Sequence, residues 1–219
     1  TPVRAPPLPP PTPPFAQLFG SLVAPLLLTA SPGPDNLMVL GIGMSRGPRS
    51  GIAFGLGCAL GCLSHTALAV LGVSALIAAS PVAFTALRIG GGLYLLWLGI
   101  GALRSRGAAR VADASSMDRA ALPLFGKGLL ANAINPKVVL FFLSFLPQFV
   151  DPGRGQVALQ TAVLGLVFTL QAALLFGTLG AFSGAVGRWL EHRPGAGLWL
   201  DRAAGIIFVG LGLRLILSR

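Results

Sequence analysis

Two short motifs place a charged residue next to proline inside long apolar stretches of the sequence. The first is Ser31-Pro32-Gly33-Pro34-Asp35-Asn36, and the second is Asn135-Pro136-Lys137. Because proline has no backbone N–H and leaves the carbonyl four residues upstream without its helical partner, neither motif can continue a regular membrane helix. Charged residues inside membrane segments are rare and default to functional roles. The two motifs therefore predict a transporter that binds a polar ligand within the bilayer.

The first motif offers groups of both polarities to such a ligand. Its two prolines free the carbonyls of Leu28 and Ala30, which suit an ammonium group or a hydrated cation. Pro34 suits the first position of a new half-helix, whose N-terminus favours a carboxylate. The candidate ligand-binding residues of this motif are Pro32, Gly33, Pro34, Asp35 and Asn36.

The second motif repeats this design with the opposite charge. Asn135 is expected to cap a helix that begins at Pro136, which frees the carbonyl of Asn132. Lys137 then lies unfavourably at the positive end of the helix dipole, so its charge indicates a carboxylate partner from a substrate or from the protein. The candidate residues of this half are Asn132, Asn135, Pro136, Lys137 and, as a polar group further along an apolar run, Gln148.

Asp35 and Lys137 occupy corresponding positions of the two motifs. If the motifs are related by a two-fold axis, the two side chains converge near the membrane midplane, where an acid and an ammonium complement the two ends of a free amino acid. The alternative is a buried ion pair between Asp35 and Lys137 that fixes the two halves together and touches no ligand.

The composition indicates a polytopic membrane protein. Of the 219 residues, 54% are hydrophobic and only 10% are charged. The net charge of +10 comes mostly from basic residues between apolar runs, and aromatic residues are not interleaved with them, so nucleic acid is not an expected partner. Residues 1–14 contain eight prolines and are expected to form an extended, disordered tail. The sequence contains no constellation that indicates an enzyme or a cofactor.

Apolar runs divide the rest of the chain into six predicted membrane spans. They cover residues 15–44, 51–79, 82–103, 128–150, 156–182 and 198–217, with the proline breaks in the first and fourth. The predicted fold is therefore an all-α integral membrane protein. Its first three-helix repeat covers residues 15–103, a loop covers 104–127, and the second three-helix repeat covers 128–219.

Positively charged residues predict how these spans are oriented. The connections after spans 1, 3 and 5 carry ten basic residues, whereas the opposite side carries five. Since the side richer in Lys and Arg is usually cytoplasmic, the 104–127 loop is expected inside and both termini outside.

Matching spacing in the two halves indicates an inverted repeat. Pro34 lies 17 residues before Gly51, and Pro136 lies 17 residues before Gly153. Because each half has three predicted spans, the second copy enters the membrane from the opposite side. Transporters of this architecture bind their substrates at the interface of the repeats.

A third polar cluster, made of Cys58, Cys62 and His65, lies within the second span. Offsets of three and four residues place the three side chains on one helix face, which permits a metal site. One helix rarely supplies a complete ligand set, so small-residue packing with one hydrogen-bonded histidine is favoured, and no bound metal is expected. Since imidazole titrates near neutrality, His65 is also an alternative to Asp35 as a proton carrier.

Several motifs together resemble the LysE/RhtB family of bacterial amino-acid exporters. They are the 31–36 motif, Leu93-Tyr94-Leu95-Leu96-Trp97-Leu98-Gly99, the segment Gly128–Lys137 and Phe145-Leu146-Pro147-Gln148-Phe149-Val150. The resemblance covers about residues 16–217. It implies export of amino acids or similar small metabolites, driven by proton exchange, with Asp35 at the family's Asn-or-Asp position after Pro-Gly-Pro.

The residues and the resemblance together predict a secondary active exporter of amino acids or similar small zwitterionic metabolites across the bacterial inner membrane, and the resemblance implies that it is a proton-coupled antiporter. Its expected partners are the substrate, protons, the lipid bilayer and a second copy of the chain as a homodimer. Two alternatives stay open. One is a metal-ion or other cation exporter that uses Cys58, Cys62 and His65, and the other is a membrane scaffold or assembly protein whose polar breaks are structural.

Overall fold

The computed structural model of the protein describes residues 23, 25–31, 33–73, 80–105, 120–151, 153, 155–193 and 195–217. The predicted proline-rich tail at 1–14 and Pro32 of the first motif lie outside these residues. Within the described part of the chain all regular elements are helical. This confirms the all-α class expected from the sequence.

The helices follow the apolar runs of the sequence. They are α1 (25–30), α2 (Pro34–Arg46), α3 (Pro48–Leu68, continued by a π-helical turn Ala69–Val73), α4 (Pro81–Arg104), α5 (Ala121–Ala133), α6 (Pro136–Ser144, followed by a 3-10 turn Leu146–Phe149), α7 (Val157–Ala181), α8 (Ser183–Glu191) and α9 (Ala196–Leu217).

Prolines set where four of these helices begin. Pro34, Pro48, Pro81 and Pro136 each stand at the start of a helix, where the missing N–H breaks no intrahelical bond and the fixed φ angle already fits. Gly47 joins α2 to α3 with a φ of 91°, a left-handed conformation that a residue with a side chain rarely adopts. The chain therefore reverses between α2 and α3 within a single residue.

The predicted span boundaries are wrong in two places. The helix α5 begins at Ala121, inside the loop predicted at 104–127, and the separate short helix α8 was not predicted. Lys127, which was assigned to the loop, is therefore helical. The physical reason is that α5 extends along α3 and packs against it through glycines, a tertiary contact that local sequence patterns do not reveal.

Three helical stretches are long and apolar enough to cross a membrane among the described residues. They are Pro48–Gly72, Val82–Arg104 and Val157–Ala181, and the pair Ala121–Ala133 and Pro136–Phe149 makes a fourth if its 53° bend lies within one span. The chain is thus a multi-pass membrane protein. The six-span organisation and the inverted repeat stay predictions.

Glycines bring α3 into direct backbone contact with its neighbours. A Cβ added to Gly57 would overlap the carbonyl oxygen of Phe125 in α5, and one added to Gly128 would overlap that of Phe54 in α3. Gly55 lies in the same way against Phe176 of α7. This confirms that the small residues of the second span serve close helix packing. Because of this contact, α5 and the break that follows it lie at the centre of the bundle.

Candidate functional site

The first break separates α1 from α2 and leaves carbonyl groups at the end of α1 available to side chains. Asn36, in the first turn of α2, turns its side chain back and donates from Nδ2 to the carbonyl oxygens of Thr29 at 3.0 Å and Ala30 at 3.3 Å. Pro34 is the first residue of α2, as expected, so Ala30 has no helical N–H donor from that position. The carbonyl freed by the proline is therefore satisfied by an asparagine two residues after it.

The second break lies between α5 and α6 and confirms the predicted cap. The Asn135 side chain accepts a hydrogen bond from the backbone N–H of Lys137 at 3.1 Å, and Pro136 begins the helix. The freed carbonyl of Asn132 accepts from the N–H of Asn135 at 2.9 Å and from Nε2 of His65 at 3.0 Å. Because a carbonyl oxygen can only accept, His65 carries its proton on Nε2 here.

Asp35 joins the two breaks, because its hydrogen bonds come from the other half of the chain. Its Oδ2 accepts from Nδ2 of Asn132 at 2.8 Å and from Nδ2 of Asn135 at 3.1 Å. Asp35 as a whole residue is only 6% exposed. A buried carboxylate needs such donors, and bonds to an ionised acceptor are about twice as strong as neutral ones. The two asparagines therefore hold Asp35 in the centre of the bundle.

Lys137 points across the same junction in the opposite direction. Its Nζ donates to the carbonyl of Leu28 at 3.3 Å and lies 5.4 Å from the centre of the Phe208 ring. A Cβ on Gly33 would lie 2.9 Å from Nζ, so the absence of a side chain at Gly33 leaves the room that the ammonium occupies. The Leu28 carbonyl is one of the two expected to suit an ammonium group.

Asp35 and Lys137 line one small cavity together. Its volume is about 10 Å³, roughly the space of a single water molecule. Thr29, Asn36, Cys62 and Asn132 are the other polar residues that line it. The sequence prediction that residues of the two motifs come together is therefore confirmed in the geometry. In this conformation the cavity is too small for an amino acid, and the site is closed.

Asp35 and Lys137 each make their polar contacts with other groups, and not with one another. Asp35 is bonded by two asparagines, and Lys137 by a carbonyl and an aromatic ring. The direct ion pair that was the structural alternative is therefore replaced by two separate hydrogen-bonded groups.

Gln148 and the Cys58–Cys62–His65 cluster do not extend this site in the predicted way. Gln148 donates to the carbonyl of Ser144 at 3.4 Å, a local bond within its own turn. Among the described residues no group of three or more His, Cys, Asp or Glu side chains could hold a metal ion. Both cysteines are free and buried, and Nε2 of His65 is engaged by a carbonyl. This part of the chain therefore shows no ligand set for the metal-ion exporter that was one of the alternatives.

Two contributors to the site were missed by the sequence prediction. Phe208 of α9 lies next to the Lys137 ammonium, and the carbonyl of Thr29 is a second acceptor for Asn36. Position 208 carries a weak signal in the sequence, because Phe208 follows Gly205 by three residues in the last predicted span, as Tyr94 follows Gly91 in the third. The Thr29 carbonyl carries no signal in the sequence, because every residue has one.

Comparison with known proteins identifies the family of the chain. The family model described as LysE type translocator matches residues 26–219. No solved structure matches the chain. An uncharacterized membrane protein of Pseudomonas aeruginosa is 36% identical over 191 residues, which is 84% of this chain and 87% of that protein.

Two further relatives carry functional names. The threonine efflux protein of Salmonella typhi is 32% identical over 86% of this chain and 92% of its own length. The leucine efflux protein of Enterobacter sp. (strain 638) is 32% identical over 89% of this chain and 92% of its own length. These matches confirm the family that the motifs resemble. The chain belongs to the LysE type translocator family and is therefore a transporter, not an enzyme.

Proposed function

We propose that this protein is a secondary active exporter of amino acids, or of similar small zwitterionic metabolites, across the bacterial inner membrane. The observation that carries the proposal is the meeting of Asp35 and Lys137, from two broken helices, at one buried cavity. Relatives named as threonine and leucine efflux proteins support the substrate class.

The two charged groups suit the two ends of an amino acid. Both hydrogen bonds to Asp35 reach Oδ2, so Oδ1 accepts none from the described residues and can receive a substrate ammonium. The Lys137 ammonium can leave the Leu28 carbonyl and pair with the substrate carboxylate. The vacated carbonyl then serves as a second acceptor for the substrate ammonium.

Transport requires the closed cavity to open toward each side in turn. The proline breaks supply the hinges, because the backbone there has no regular helical bonds to lose. We propose that six spans form two inverted three-helix repeats with both termini outside, and that one repeat moves against the other around Asp35 and Lys137.

Proton exchange is the proposed source of energy, and Asp35 is the proposed carrier. A carboxylate that holds a substrate ammonium in one state can hold a proton in the other, so the two cargoes exclude each other at one group. His65 is the alternative, since Nδ1 is buried and has no hydrogen-bond partner among the described residues. The bond from Nε2 to Asn132 connects this ring to an asparagine that holds Asp35.

Efflux from preloaded cells tests the transport function directly. Cells that carry the protein should release preloaded amino acids faster than cells without it, and the amino acid with the largest difference identifies the substrate. If cells with and without the protein release every amino acid at the same rate, the proposal is contradicted. Loss of a membrane complex without any change in efflux would favour a scaffold instead.

A pH gradient across reconstituted vesicles tests the coupling. The gradient should drive substrate movement through the wild type, and the slow movement that remains in Asp35→Asn should no longer depend on the gradient. Equal gradient-driven transport in wild type and variant would remove Asp35 from the proton path. Loss of coupling in His65→Ala alone would assign the role to His65.

A further inference from the structure

Asn36 forms part of the wall of three cavities. One is the small cavity beside Asp35 and Lys137, and the other two are larger, with volumes of about 500 and 550 Å³. Asn36 is 7% exposed, and its amide is held by the carbonyls of Thr29 and Ala30. Its side chain therefore lies between the charged site and a much larger space.

The two large cavities are apolar and have the size of a ligand pocket. Ligand pockets usually measure about 300–1,000 Å³ and are lined mainly by apolar side chains with a few polar groups. Leu179 and Val186 line both cavities, while Leu40 and Trp189 line the first. Apart from Asn36, the polar side chains lining the second cavity are Gln171 and Thr178. The described residues that line the two cavities include no charged side chain.

We propose that these cavities form the subsite for the substrate side chain, and that the protein selects amino acids whose side chain is apolar and of medium or large size. This inference rests on the proposed function, because it places the amino and carboxyl groups of the substrate at Asp35 and Lys137. A charged side chain would enter a space without a counter-charge, which is unfavourable. An apolar side chain would instead replace contact with water by contact with Leu40, Leu179 and Val186.

Asn36 determines when the subsite is connected to the charged site. While its amide bonds to Thr29 and Ala30, the side chain separates the two spaces. Rotation of the side chain joins them, and the two carbonyls become available to the substrate ammonium. Binding of the charged groups and admission of the side chain therefore depend on the same residue.

The competing occupant of the cavities is a lipid acyl chain. Trp189 and Leu200, at the edge of the first cavity, are 48% and 42% exposed, so the space is open at the surface of the helix bundle. A lipid-filled groove would not discriminate among substrates. The experiment therefore measures discrimination between amino acids, rather than binding alone.

Val186→Phe narrows both cavities at their shared wall, and Val167→Phe is its matched control. Val167 lies on α7, is 38% exposed and does not line either cavity. Export of leucine and phenylalanine relative to alanine is measured for wild type and both variants in reconstituted vesicles. For Val186→Phe, export of leucine and phenylalanine relative to alanine should decrease by about tenfold, which is the size of effect that a few methylene groups have in a pocket. For Val167→Phe, this relative export should not change.

The opposite change keeps the test informative if Val186→Phe does not fold. Val186→Ala enlarges the cavities and should raise the export of phenylalanine relative to alanine. Unchanged ratios in a folded Val186 variant, or an equal decrease for all amino acids, would overturn the side-chain subsite and leave the proposed function intact. Absence of any amino-acid export by the wild type would instead overturn the proposed function and this inference with it.

Discussion

Replacement of Asp35 by asparagine separates the charge of this residue from its structural role. Both of its hydrogen bonds, from Asn132 and Asn135, converge on the single oxygen Oδ2. Asparagine has nearly the same shape and one amide oxygen that can accept both bonds. Asp35→Asn should therefore keep the junction between the two breaks while it removes the charge.

The expected effect on stability is moderate. Each bond changes from a charge-assisted one of about 1.5–3 kcal/mol to a neutral one of about 0.5–1.5 kcal/mol, a combined loss of about 2–3 kcal/mol. Release from the burial of a charge offsets part of this loss. For a chain of this length, the thermal midpoint should therefore fall by no more than roughly 10 °C.

The expected effect on transport is large. If Asp35 binds the substrate ammonium, removal of one partner of a buried charged contact costs about 2–5 kcal/mol. At about 1.4 kcal/mol for each factor of ten, transport efficiency should fall by about 30-fold to about 4,000-fold. Stability and transport are therefore predicted to respond very differently to the same substitution.

The assay compares initial rates of amino-acid movement in vesicles that contain equal amounts of folded protein. Asp201→Asn is the matched control, because Asp201 is also a buried acid, 8% exposed, and lies away from the site. Its Oδ2 accepts a hydrogen bond of 2.6 Å from the hydroxyl of Ser105. The transport rate of Asp201→Asn should stay within about twofold of wild type. Folded Asp35→Asn with a near-normal rate would refute the role of the charge.

If Asp35→Asn and Lys137→Ala both unfold and a paired apolar replacement restores folding, the two residues serve structure alone.

Three further predictions follow from other parts of the molecule. Lys137→Ala should abolish export in a folded protein, whereas the exposed Lys127→Ala should not; the two are compared in the same efflux assay. Gly128→Ala should lower stability by about 1–3 kcal/mol because its Cβ meets the α3 backbone, whereas Gly126→Ala on the same helix meets nothing within 4 Å and should not; thermal midpoints in detergent test this, and equal midpoints would contradict it. In a cysteine-free background, a cysteine introduced at Ser218 should be labelled from outside and one at Ser115 should not; the reverse pattern would contradict the orientation and the inverted repeat.

Several features of this protein follow from local rules and could be derived from the sequence. The proline-broken motifs locate both helix breaks, because a missing N–H acts at a fixed distance along the chain. Asn135 as a cap and Pro136 as a first helical residue follow from the same local chemistry. The apolar runs predicted the class of the protein, since a membrane helix needs only length and hydrophobicity.

Other features depend on which parts of the chain meet, and local patterns do not contain that information. The carbonyls freed by proline were predictable, but their donors were not: Lys137 reaches Leu28, and His65 reaches Asn132 from a different helix. The bond between Asn132 and Asp35 joins residues 97 positions apart. The early start of α5 likewise depends on its contact with α3.

The sequence by itself therefore determined where the helices break and which polar groups the breaks release. Only the tertiary structure decided that Asp35 is held by asparagines of the other half, that Lys137 occupies a carbonyl suited to an ammonium, and that Asn36 borders a large apolar cavity. The physical reason is range. Backbone hydrogen bonding is fixed within four residues along the chain, whereas partners of side chains are fixed by helix packing, which brings together residues distant in sequence.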